Sequence, residues 1–192
     1  MNHFYLHLND QMSQSNMRKL KNEELNRLSV EEYKEVKKND VILILDNVRS
    51  LNNVGSAFRT SDAFNVKKIC LCGITGQPPH RDINKTALGA TETVEWEHFE
   101  TTLQAIEQLK SEGWEILAIE QAEGSLMLNK FHPTADGKYA FIFGNEVFGV
   151  EQEVVSASDQ CLEIPQFGTK HSLNISVTIG VVLWHYISKI TG

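Results

Sequence analysis

Tyr139-Ala140-Phe141-Ile142-Phe143-Gly144-Asn145-Glu146-Val147-Phe148-Gly149-Val150 opens as an unbroken apolar run and ends in two glycines that bracket a carboxylate. Five consecutive apolar residues halted by glycine describe a strand buried on both faces, as in the middle of a parallel sheet. The same signature recurs outward in both directions. Val41 to Asp46, Lys68 to Cys72, Thr93 to Glu97, Trp114 to Ile119 and Gln160 to Ile164 are further predicted strands. Between them, Val54 to Phe64, Asn84 to Ala90, Thr101 to Glu112 and Glu151 to Ala157 carry helical spacing. Leu173 to Ile190 is a long, largely apolar helix. This alternation predicts an α/β fold: a mostly parallel sheet with helices on both faces.

At 192 residues the chain fits one domain with a short appendage. The boundary falls where the charge-dense segment Met17 to Lys38 gives way to the apolar run Val41 to Leu45, so residues 1–39 form a helical N-terminal appendage and residues 40–192 the sheet domain. Two short helices are expected over Met17 to Lys38, with Ser29 and Glu32 forming a capping box that restarts the second after Leu28, while residues 1 to 16 carry little pattern and are expected to form an arm. No export signal opens the chain and no stretch reaches the roughly 18 to 20 apolar residues of a membrane span, so a cytoplasmic location without membrane contact is expected. Cys70, Cys72 and Cys161 are too few for a structural zinc site and odd in number for disulfides. Cys70 and Cys72 lie on one face of a strand and are expected as core thiols, and no metal is expected.

The net charge of −7 opposes nucleic acid as a partner, because phosphate neutralisation drives much of that affinity. The cations, however, are unevenly placed: Arg18, Lys19, Lys21, Arg27, Lys34, Lys37 and Lys38 crowd the appendage. They read equally as a local phosphate-binding patch or as a salt-bridged helix face, since glutamates are interleaved with them.

No dinucleotide-type or phosphate-loop glycine pattern follows an early strand. The glycine turns come late, at Gly144, Gly149 and Gly168, and ligands of parallel sheets sit beyond the carboxyl ends of strands, so the C-terminal third is the candidate site. Three stretches carry chemistry. In Asp46 to Thr60, Asn53 can cap a helix and Arg59 offers a fork of donors suited to a phosphodiester. In the opening stretch, Glu146 stands at a strand end beside the permissive backbone of Gly144 and is placed to accept from a ligand or from Asn53. In Ile164 to Val177, Pro165 stops a strand, Gly168 allows a turn, Ser172 is placed to cap the long helix, and Asn174 adds a second polar group at its start.

In order, content and spacing the three stretches resemble the SpoU (TrmH-like) family of RNA ribose 2′-O-methyltransferases, in the SPOUT class. The likeness runs from about Val41 to Tyr186: Asn53 and Arg59 match a first motif, Gly144 and Glu146 a second, and Ile164-Pro165 with Ser172-Leu173-Asn174 a third. Lys85 to Glu92 also looks like a stretch the family carries between motifs. The resemblance implies a deep C-terminal trefoil knot and S-adenosyl-L-methionine held by Gly144, Ile164, Leu173, Ser172 and the segment around Ile119 and Glu120. It further implies catalysis centred on Arg59 with Asn53, Glu146, Ser172 and Asn174, and a homodimer with the site at its interface. The implied substrate is structured RNA, transfer RNA ahead of ribosomal RNA, read by Met17 to Lys38 and a Gln77-to-Lys85 loop. A knotted RNA-binding protein without catalysis is the alternative. Two departures stand out: Leu51 replaces a common proline, and Asn65 replaces a glycine whose left-handed backbone asparagine can also adopt.

Overall fold

The computed structural model describes residues 17–170 and 172–191; the arm expected over residues 1 to 16 lies outside them. Of the two short helices expected in the appendage, the second forms as α1, Val30–Glu35, whereas the first is a single 3-10 turn, Asn22–Leu25, ended by Asn26 in the left-handed conformation. The predicted capping box is present: Glu32 N–H donates to Ser29 at 3.2 Å, and Ser29 N–H donates back to the Glu32 carboxylate at 2.8 Å. Tyr33 is buried and its hydroxyl donates to the Asp62 carbonyl, which ties α1 to the domain behind it.

The chain then runs β1 (Asn39–Asp46), α2 (Leu51–Ala63), β2 (Val66–Cys72), α3 (Arg81–Ala87), β3 (Glu95–Phe99), α4 (Thr102–Ser111), β4 (Glu115–Ile119) and β5 (Leu126–Met127). It continues with β6 (Tyr139–Phe143), α5 (Gln152–Ala157), β7 (Gln160–Glu163) and α6 (Ile175–Ile190). The strands form one sheet in the order β3-β2-β1-β6-β4-β7-β5, and every pairing is parallel. This is the α/β architecture the alternation predicted.

Period-two alternation along β1 divides the core. Val41, Leu43 and Leu45 face the layer that holds Val54, Ala57 and Phe58 of α2 and Ile179, Val182, Leu183 and Tyr186 of α6. Ile42 and Ile44 face α4 and α5 together with Cys70 and Cys72, which share one face as expected. Burial pushes the Cys70 thiol up to about 12, consistent with an inert core residue. Each such fully buried aliphatic side chain contributes about 1.5 to 3 kcal/mol. Tyr186 meets the rings of Tyr139 and Phe141 edge-on at 5.9 and 6.2 Å, locking α6 onto β6.

Several boundaries differ from the sequence reading. β5 was not predicted, since two residues are too few to show a period. α3 begins at Arg81 because the His80 ring accepts from Asp82 N–H, so the expected Gln77-to-Lys85 loop is helical in its second half. β3 begins at Glu95, because the N–H groups of Thr93 and Val94 turn back onto the Ala90 carbonyl. Asn65 adopts the left-handed backbone expected of it, with φ of 51°. No helix among the described residues is long and apolar enough to cross a membrane.

Candidate active site

Chain order reverses within the sheet: β1, β2 and β3 march one way, while β6, β4 and β7 fill the other side. A crevice opens beyond the carboxyl ends of strands at such a reversal. A cleft of about 500 Å³ lies at the ends of β4, β6 and β7. Ile119, Phe143, Ile164, Leu173 and Ile175 supply apolar wall, and Glu120, Asn145, Glu146, Gln166, Ser172, Asn174 and Thr178 add polar groups.

The turn after β6 forms one wall and is tightly built. Asn145 and Gly149 exchange backbone hydrogen bonds of 2.9 Å across it. The Asn145 carboxamide accepts from Val147 and Phe148 N–H and donates to the Asn47 carbonyl at 2.8 Å. A Cβ on Gly144 would lie 2.1 Å from the Gly149 carbonyl carbon, so only glycine lets the two backbones pass. Gly149 has φ of +70° and crowds the Glu120 carboxylate, which accepts from Val150 N–H at 2.9 Å.

At the mouth of the cleft Glu146 accepts three hydrogen bonds: from Arg49 N–H and Ser50 N–H, each at 3.0 Å, and from the Asn53 carboxamide at 2.9 Å. Two of these donors are exposed N–H groups at the start of α2, where a carboxylate is favoured by the helix dipole as well. Partial burial pushes the Glu146 carboxyl up, but the hydrogen bonds from Asn53 and the backbone outweigh it and hold the group below its ordinary value. Asn174 donates to the Asn53 carboxamide oxygen over a long 3.4 Å. Three stretches far apart in sequence thus meet in one polar cluster.

The residues expected to hold the cofactor, Ile119, Glu120, Gly144, Ile164, Ser172 and Leu173, all line this one cleft. Of the expected catalytic set, Glu146, Ser172 and Asn174 line it, and Asn53 joins through its hydrogen bonds. Arg59 does not. Six residues along α2 leave it about 120° around the helix from Asn53, and it is exposed without a hydrogen bond or ion pair among the described residues. Two expected caps are also reassigned: Ser50 caps α2 by accepting from Asn53 N–H, and Asn174 caps α6 by accepting from Ser176 N–H. Ser172 lies exposed two residues ahead of that cap. Of the appendage cations, Arg18 pairs with Glu24 at 2.6 Å and Lys38 covers the Tyr33 ring. Lys19, Lys21, Arg27, Lys34 and Lys37 remain exposed and outside the ion pairs found among the described residues.

The sequence model of the SpoU rRNA Methylase family matches residues 40–184. A 23S rRNA (guanosine-2′-O-)-methyltransferase of Neisseria meningitidis is 29% identical over 74% of this chain and 56% of its own length, so the chain spans little more than half of that relative. A tRNA (guanosine(18)-2′-O)-methyltransferase of Thermus thermophilus is 29% identical over 84% of this chain and 81% of its own. In fold, the chain resembles the AdoMet-bound rRNA methyltransferase from Sinorhizobium meliloti, with a TM-score of 0.72 at 24% identity over 80% of this chain and 58% of that one.

Proposed function

The chain belongs to the SpoU rRNA Methylase family, and from that membership we propose that it transfers a methyl group from S-adenosylmethionine to a ribose 2′-hydroxyl of structured RNA in the cytoplasm. The observation that carries this reading is the hydrogen-bonded meeting of Asn53, Glu146 and Asn174 at the mouth of a cleft. Transfer RNA stands ahead of ribosomal RNA as substrate, because the chain shares far more of the tRNA-modifying relative's length than of the rRNA-modifying one's.

The cleft suits S-adenosylmethionine. Its volume falls in the range of small-molecule sites, its walls combine apolar side chains with polar groups, and Gly144, whose lack of a side chain lets the turn after β6 fold tightly onto the strand end, lies on its lining. Gly144, Ile164, Ser172, Leu173 and Ile119 would hold the cofactor, which supplies an electrophilic methyl carbon when bound. The deep C-terminal knot belongs to the same reading, and the return of the chain from β7 to set Asn174 beside Asn53 supports it.

The ribose hydroxyl is a poor nucleophile at neutral pH. Arg59 has a guanidinium too basic to remove its proton, so its role is to bind the adjacent phosphate and lower the hydroxyl's proton affinity. Asn53, Glu146, Ser172 and Asn174 hold the ribose in line, and orientation supplies much of the acceleration. Because Arg59 points away from its own cleft, a homodimer is part of the proposal, with Arg59 delivered across the interface. The exposed apolar stripe Val177, Val181 and Trp184 along one side of α6, with exposed Leu173 just ahead of the helix, is the surface a second copy would cover.

Incubation of the protein with RNA and methyl-labelled S-adenosylmethionine, followed by digestion, should yield labelled 2′-O-methylnucleosides. Cofactor binding with no label in RNA would favour the alternative of an RNA-binding knot protein without catalysis, and label on a base would exclude ribose as the acceptor.

A further inference from the structure

Glu120 directly follows β4 and lies on the cleft wall, in the segment that the resemblance links to the cofactor, and the proposed chemistry gives its charge no role. It is half-buried and firmly held: one oxygen accepts from Gln121 N–H at 2.8 Å and the other from Val150 N–H at 2.9 Å. Gly149 passes so close that a Cβ there would lie 2.1 Å from that second oxygen. Neutral amides fix the carboxylate without cancelling its charge, and no ion pair found among the described residues involves it. Across the cleft, Glu146 is held in the same manner. Among the described lining residues these two carboxylates are the charged groups, with no lysine, arginine or histidine to offset them.

A cleft of that character favours a cation. Methyl transfer changes the ligand's charge: the sulfur–methyl bond breaks, its electron pair stays on sulfur, the carbon bonds to the ribose oxygen, and the hydroxyl proton passes to water. A sulfonium thereby becomes a neutral thioether. Resting on the methyltransferase reading above, we infer that Glu120 makes the cleft selective for the cationic methyl donor over its neutral product. Turnover then removes the attraction that held the ligand, and the spent molecule is released more readily than the fresh one is lost.

Isothermal titration separates this role from a purely mechanical one. The probes are S-adenosylmethionine, S-adenosylhomocysteine, and sinefungin, in which a protonated amine replaces the sulfonium. The native protein should bind the two cations roughly tenfold more tightly than the thioether at low salt, a preference that added salt weakens. Glu120→Gln keeps the shape and an acceptor for Val150 N–H; it should bring both cations down toward the thioether and leave thioether affinity unchanged. Parallel weakening of all three ligands, or no change in any, overturns the inference. So does a native preference insensitive to salt, a readout that stands even if the variant folds poorly. Absence of any S-adenosylmethionine binding by the native protein would instead defeat the methyltransferase reading itself.

Discussion

The cleft wall and the outer face of α2 differ in how completely one copy of the chain builds them. Around the cleft, donors and acceptors are matched within the chain: Asn145 ties its own turn, Glu120 pins Val150, and Glu146 gathers Arg49, Ser50 and Asn53. On α2, one and two-thirds turns from Asn53, Arg59 is exposed, with no such partner among the described residues. A ligand pocket can be finished by local strand ends, whereas a group meant to meet a long polyanion is left free until the other components arrive.

The sharpest way to break that contrast is Arg59→Ala. Methylation should fall on the order of 10² to 10³-fold, the usual loss for one transition-state donor, with S-adenosylmethionine binding by titration unchanged; normal turnover would remove Arg59 from the mechanism. Mixing that variant with Glu146→Ala decides whether Arg59 acts across copies. Each mixed dimer would then hold one intact site, and roughly a quarter of the native rate should return from two inactive parents; no recovery would place Arg59 at its own cleft. Next in size, Trp184→Glu introduces a charge into the exposed stripe of α6 and should raise the dimer dissociation constant about thirtyfold or more. Light scattering at micromolar concentration would report monomers, and unchanged dimers would assign the stripe no role in pairing.

Gly144→Ala acts on the finished side of the contrast. The new methyl meets the backbone of Gly149 and Val150 rather than a movable side chain, so about 1 to 3 kcal/mol of stability should be lost along with cofactor affinity, as thermal melts and titration would show. The smallest effect concerns pH. Glu146 is depressed from its ordinary 4.5, so the stability it contributes is present above that value and drains away as pH falls through the lower folded one. The stability gap between native protein and Glu146→Gln should therefore be constant near neutrality and close in acid; a gap that widened on acidification would contradict the hydrogen-bond assignment.

Much of the fold was readable because the sheet is buried on both faces: Tyr139–Phe143 can scarcely be anything but a central strand. The strand-end residues were likewise readable, since a parallel sheet sends its carboxyl ends to one edge. The helix starts were less so. Ser50, Asn52 and Asn53 crowd one start, and Ser172 and Asn174 the other, and any of them can cap. Ser50 takes the cap while Glu146, about a hundred residues away, takes the N–H groups of Arg49 and Ser50. Arg59 was placed correctly on α2 by its spacing, but helical phase alone turns it away from the cleft. Glu120 was legible as part of the segment that the resemblance ties to the cofactor, but its grip on Val150 was not, because that depends on a turn formed thirty residues later.

α2 and α6 share a single core, although 111 residues intervene between Ala63 and Ile175. During synthesis Val54, Ala57 and Phe58 can pack on β1 and β2 early, but the side of that core closed by Ile179, Val182 and Leu183 must wait until α6 has emerged. The partnership of Asn53 with Asn174 is settled last, and an incomplete copy is denied a working pocket by geometry rather than by any separate safeguard.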